Sequence, residues 1–130
     1  MTPRNPEDKP IATLLAPDIL ALLEESPGDV AVETEEVHAA DLADVADLLP
    51  PDGVPLFLAP LPRDPAADVL EYLNEDLRVQ VLEAMSARQA AELVSEMTPD
   101  DRADTLEELS EQSETRAEEI LSEISTEARR

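Results

Sequence analysis

Three aspartates open one stretch of this 130-residue chain. In "EMTPDDRADTLEELS", Thr98-Pro99 stands directly before Asp100, Asp101 and Asp104. Two kinds of chemistry fit that spacing. In the first, Thr98 caps a helix, Pro99 takes its first position, and Asp100 and Asp101 complement the positive helix N-terminus. That reading leaves Asp104 unexplained. In the second, Asp100 and Asp104 share a helix face at i, i+4, where their carboxylates repel. A hard divalent cation relieves that repulsion, and Mg²⁺ is often held by only one or two carboxylates and several waters. The pair is then half of a magnesium site, completed from elsewhere.

Other chemistries find little support. The chain has no cysteine, which removes disulfides, zinc–thiolate sites and thiol nucleophiles. His38 is the sole histidine, and a capping, packing or surface role suits it better than metal ligation. With Gly28 and Gly53 the only glycines, neither a phosphate-binding loop nor a nucleophile elbow can be built. The inventory is that of a non-enzyme. The formal net charge of −23 opposes contact with nucleic acid or anionic lipid. It favours cations and basic protein surfaces. The first residues, "MTPRNPEDKP", hold no apolar signal core, and no apolar run approaches the length of a membrane span. The expected location is the cytoplasm.

The elements that must position these aspartates are helices. Aromatic residues are scarce and Ala, Leu and Glu abundant. Residues 1–10, rich in proline and charge, are expected to be a disordered lead-in, and residues 11–130 one domain. The segment "PDILALLEES" predicts a helix starting at Pro17 and stopped by "SPGD" at 26–29. Val30 to Val32 alternates weakly. A helix is expected from about Glu36 to Leu49, then a break at "PPDG". A short apolar helix follows in "VPLFLAPLP", with Pro55 in its first turn and Pro60 ending it.

Beyond residue 63 the chain repeats. The pieces "VLEYLN", "VLEAMS", "LVSEMT" and "TLEELS" begin at Val69, Val81, Leu93 and Thr105, a spacing of 12 residues. A fifth, "ILSEIS", begins at Ile120 after an insertion of 3. Each ends in a small polar residue, Asn74, Ser86, Thr98, Ser110 or Ser125, suited to cap a following helix. Ser86 and Gln89 match a capping box. The pairs Leu70/Leu73, Leu82/Met85, Val94/Met97 and Leu106/Leu109 fall on one helix face. Helices this short must stack to be stable, which is solenoid logic. A continuous coiled coil would need an unbroken 3.5-residue spacing. The acidic C-terminal stretch reads as a solvated face, or as a surface meeting a basic or metal-bridged partner.

The ordered set "HAADLADVADLLPPD", "AADVLEYLNEDLRVQVLEAMS" and "AAELVSEMTPDDRADTLEEL" resembles the N-terminal cytosolic domain of the MgtE family of magnesium transporters, from about His38 to Ser125. The chain departs from the family's usual His-Pro in having His38-Ala39. The resemblance implies an all-α, right-handed superhelical stack of short helices. It also implies a regulatory role: magnesium binds between this domain and a pair of CBS domains and favours the closed state of a membrane pore domain. Metal ligands implied by the resemblance are Asp68, Asp100 and Asp104, with Ala103 offering a backbone oxygen. Mg²⁺ would be held weakly and shared with the partner domain. A homodimer would form only through domains absent from this sequence, and no direct membrane insertion is implied. Neither a CBS sequence nor a membrane span follows within the 130 residues. The stack is also similar to the middle part of the flagellar switch protein FliG, which implies the alternative of a metal-independent interaction scaffold.

Overall fold

The computed structural model describes residues 10–128 of the chain, with side chains described for residues 11–125. The disordered lead-in expected at the N-terminus lies almost wholly outside them; Pro10 already opens a helix. The described residues form nine α-helices and no strand, in agreement with the expected all-α class. They are α1 (Pro10–Glu25), α2 (Asp29–Glu33), α3 (Ala39–Leu48), α4 (Val54–Leu58), α5 (Arg63–Tyr72), α6 (Glu75–Ala84), α7 (Ala87–Ser95), α8 (Pro99–Gln112) and α9 (Glu114–Ala128), with a 3-10 turn at Pro51–Gly53.

The helices pack in two alternating rows. In one, α1 lies against α3, α3 against α5, α5 against α7, and α7 against α9; in the other, α4 lies against α6 and α6 against α8. Apart from α2, which lies against α1, each helix therefore meets the one two places on. The sequence period of 12 is one helix, and the architectural repeat is a pair. A single buried cluster runs from Ala12 to Ile120 between the rows, built of Ala, Val, Leu, Ile and Met with Phe57 its one buried aromatic. The predicted face pairs lie in it: Leu70, Leu73, Leu82, Met85, Val94, Met97 and Leu109 are buried, and Leu106 packs against them half-buried. Among the described residues no buried side-chain nitrogen or oxygen lacks a hydrogen-bond partner.

The repeat caps form largely as expected. Leu77 N–H donates to Asn74 Oδ1 at 2.9 Å, Gln89 N–H to Ser86 Oγ at 3.1 Å, and Asp101 N–H to Thr98 Oγ1 at 3.3 Å. Pro55 stands at the start of α4, and Pro60 follows its end.

Four expectations are corrected. Ser110 caps nothing: it lies inside α8, and Ser113 caps α9, with Arg116 N–H donating to Ser113 Oγ at 3.2 Å. The 3-residue insertion lengthens α8 and carries the cap with it. Ser125 lies within α9. Pro17 does not begin a helix but sits inside α1. Ala12, Ala16 and Ile19, all buried on one face, extend the packing stripe a full turn and more upstream. That burial outweighs one lost backbone bond. Finally, Val30–Val32 belongs to the helical turn α2, and α3 begins at Ala39 rather than near Glu36. His38 has φ −63° and ψ 144°, which is extended, and its Nδ1 accepts from Ala40 N–H at 3.0 Å, so the helix starts after it. The capping role suits this histidine as the sequence suggested.

Candidate functional site

The second row of helices is tied down by arginines. Arg78 and Arg102 occupy the same place, four residues after the caps Asn74 and Thr98 of α6 and α8. Each turns its guanidinium onto the closing carbonyls of the preceding helix. Arg78 Nη1 donates to Glu71 O at 3.1 Å and Leu73 O at 3.0 Å; Arg102 Nη2 donates to Ser95 O at 3.0 Å and Met97 O at 3.3 Å. These carbonyls are left over by the helix ladder and carry its negative end. Arg78 also forks onto Glu108 of α8, with Nε and Nη2 both 3.1 Å from the carboxylate. Arg116 of α9 serves α6, donating to Leu82 O at 3.3 Å and to Met85 O. The corresponding positions of α5 and α7 hold Ala66 and Ala90, both fully buried. An arginine recurring every second repeat was the sequence signal for this system, visible once the repeat is read as a pair.

Arg78, Arg102 and Arg116 are thus spent on architecture, and the predicted donors face outward. Asp68 on α5 and Asp100, Ala103 and Asp104 on α8 are all exposed. Asp100 lies in the first turn of α8, and Asp104 one turn further on the same face. Between Asp68 and α8 sit carboxylates the sequence reading passed over. Glu71, one turn after Asp68, lies close enough to Asp101 to feel its charge. Its carboxyl is pushed above the ordinary carboxylate range by burial first, then by the charges of Asp101 and Asp68; Arg78 opposes the shift. Glu96, just before α8, is also raised, chiefly by its hydrogen bond with Asp64 of α5 and by that residue's charge. Carboxyls of α5 thus meet carboxyls at the end of α7 and at the start of α8, with Asp68 between Asp64 and Glu71 on α5. Asp64, Asp68 and Glu71 at i, i+4 and i+7 were a readable face; their meeting with α7 and α8 required the fold.

Among the described residues no three carboxylate or imidazole groups converge into a set able to hold a metal ion. The donors are exposed oxygens in mutual repulsion. Asp68, Asp100 and Asp104 are therefore not brought into one such set.

Beside Asp68 a cleft of about 600 Å³ opens between α2, α3 and α5. Val37, Leu42, Leu61, Pro62 and Pro65 give it an apolar lining; Glu35, Asp64, Asp68 and Glu71 line it too, together with His38 and Tyr72. The His38 and Tyr72 rings meet edge-on with centroids 6.0 Å apart.

The family model of the MgtE intracellular N domain matches residues 37–130. The chain belongs to this family. The match starts just before the cap of α3 and takes in both carboxyl pairs, so α1 and α2 precede the matched region. No curated protein and no solved structure gives a significant match. No helix among the described residues of this MgtE N domain is long and apolar enough to cross a membrane.

Proposed function

We propose that this MgtE N domain is the magnesium-sensing regulatory element of an MgtE-type transporter, working on the cytoplasmic side. The family match over residues 37–130 carries the reading. Like-charge crowding along α5 and α8 gives it a mechanism. Without magnesium, Asp68, Asp100 and Asp104 add to a surface that repels other acidic domains. With magnesium bridging these carboxylates, and the Ala103 carbonyl, to ligands of a partner domain, docking is favoured and with it the closed state. The expected partners are the CBS and pore domains of the same transporter. The role calls for no reaction at this surface.

The test is thermal unfolding across a magnesium titration at fixed ionic strength, with monovalent salt as control. Binding to the folded state at ten times Kd adds about 1.4 kcal/mol. The melting temperature should rise beyond the salt control, and Asp100→Asn with Asp104→Asn should remove the rise. The same double variant should raise the magnesium needed for docking to a separately produced CBS pair. An unchanged docking requirement in that variant refutes the assignment. A metal-independent scaffold is the second reading, favoured by the apolar-lined cleft beside Asp68.

A further inference from the structure

We propose that the cleft between α2, α3 and α5 is a docking site for a basic amphipathic peptide segment of a partner protein. The proposal stands independently of magnesium. The apolar lining, with Leu42 and Leu61 buried and Pro62 beside them, offers an apolar side chain a place out of water. Tyr72 lines the same cleft, is 58% exposed and meets the His38 ring edge-on, and an exposed tyrosine ring attracts a guanidinium or ammonium group. Glu35 and Asp68 stand exposed on the rim. Among the described residues the arginines are engaged elsewhere: Arg63 and Arg88 pair with Glu92, Arg78 with Glu108 and Arg116 with Glu119, while Arg102 donates to the Ser95 and Met97 carbonyls. Charge complementarity therefore selects a cationic occupant, and the apolar lining selects one that also carries apolar side chains. A bare inorganic cation would leave that lining wet.

The test uses the whole chain and a short fluorescent peptide of alternating arginine and leucine, followed by anisotropy at physiological ionic strength without magnesium. Saturable binding is expected, weakened about tenfold by Tyr72→Ala and by Glu35→Lys. Tyr72→Phe should restore it. Glu111→Lys makes the same charge change in the groove between α6 and α8 and should leave binding unchanged. Thermal melts followed by circular dichroism check that each variant folds. Equal binding of a peptide with serine for leucine would reduce the contact to diffuse electrostatics and overturn the proposal. So would wild-type affinity in both cleft variants, or a requirement for magnesium. Self-association of the chain that Glu35→Lys abolishes would assign the cleft to a second copy, and would overturn it too.

Discussion

Replacing Arg78 by methionine keeps most of the side-chain volume and removes the guanidinium. Arg78 is 14% exposed and Glu108 is 21% exposed. Two contacts to helix-end carbonyls, at 3.0 and 3.1 Å, are lost, and a longer one to Leu70 O at 3.5 Å adds little. Hydrogen bonds to a charged group contribute about 1.5–3 kcal/mol in favourable settings. Breaking a fully buried ion pair costs about 3–5 kcal/mol, and an exposed one at most about 1. The Arg78–Glu108 fork lies between these limits. A total loss of about 3 kcal/mol follows, a large part of the roughly 5–15 kcal/mol that holds a domain together. For a chain of this size that lowers the melting temperature by roughly 10 °C. The chain has no tryptophan, so urea unfolding is best followed by circular dichroism. Glu108→Gln isolates the ionic part and should cost about 1 kcal/mol; the double variant should show a coupling of similar size. Arg88→Met, on a residue whose side chain is 69% exposed, serves as the surface control. A loss below about 1 kcal/mol for Arg78→Met would refute the view that arginines close the helix ends.

Ser113→Ala should cost about 1 kcal/mol while Ser110→Ala costs nothing or stabilises slightly, a contrast that urea midpoints resolve and that checks the displaced cap. His38→Ala should lose about 1 kcal/mol, and His38→Asn, which can cap in its place, should recover most of it. Leu82→Ala, emptying a fully buried site, should cost about 2–5 kcal/mol. Glu71 has its carboxyl raised in the folded state, so its ionisation works against folding. That stabilising share is full below the ordinary carboxylate range and is lost as pH rises through the raised value. Glu71→Gln should therefore stabilise the chain near neutral pH, with the gain vanishing in acid, as melts across pH would show.

The parts of this fold legible in the sequence are those fixed within one helix. Asn74, Ser86 and Thr98 each act on a backbone group three residues away, so their spacing alone announces the caps. The face pairs from Leu70 to Leu109 obey the same local geometry. Ser110 misled because a cap is defined by where the helix stops, and the 3-residue insertion could lengthen either the helix or the turn. Pro17 misled for a different reason. Its intrinsic cost is local, whereas the burial of Ala12 and Ala16 that overrides it comes from α3 and other elements.

The site divides along the same line. That Asp100 and Asp104 share a face was legible because i, i+4 spacing is a property of a single helix. Glu71 and Asp101 meet across the stack, and no spacing along the chain announces that. The two-row architecture explains both the meeting and its sign. Two- and three-residue turns bring the ends of α5 and α7 beside the starts of α6 and α8. Arg78 and Arg102 neutralise the carbonyls there, from the inside. Drawn inward to the backbone, they offset the carboxylates at the same corners only in part. Glu71 shows the consequence: Arg78 lowers its pKa, yet burial and the neighbouring Asp101 and Asp68 prevail. A stack closed by its own arginines thus leaves uncompensated negative charge along the α5–α8 edge. An approaching cation or basic segment lowers that electrostatic energy, and an acidic partner arriving without one raises it.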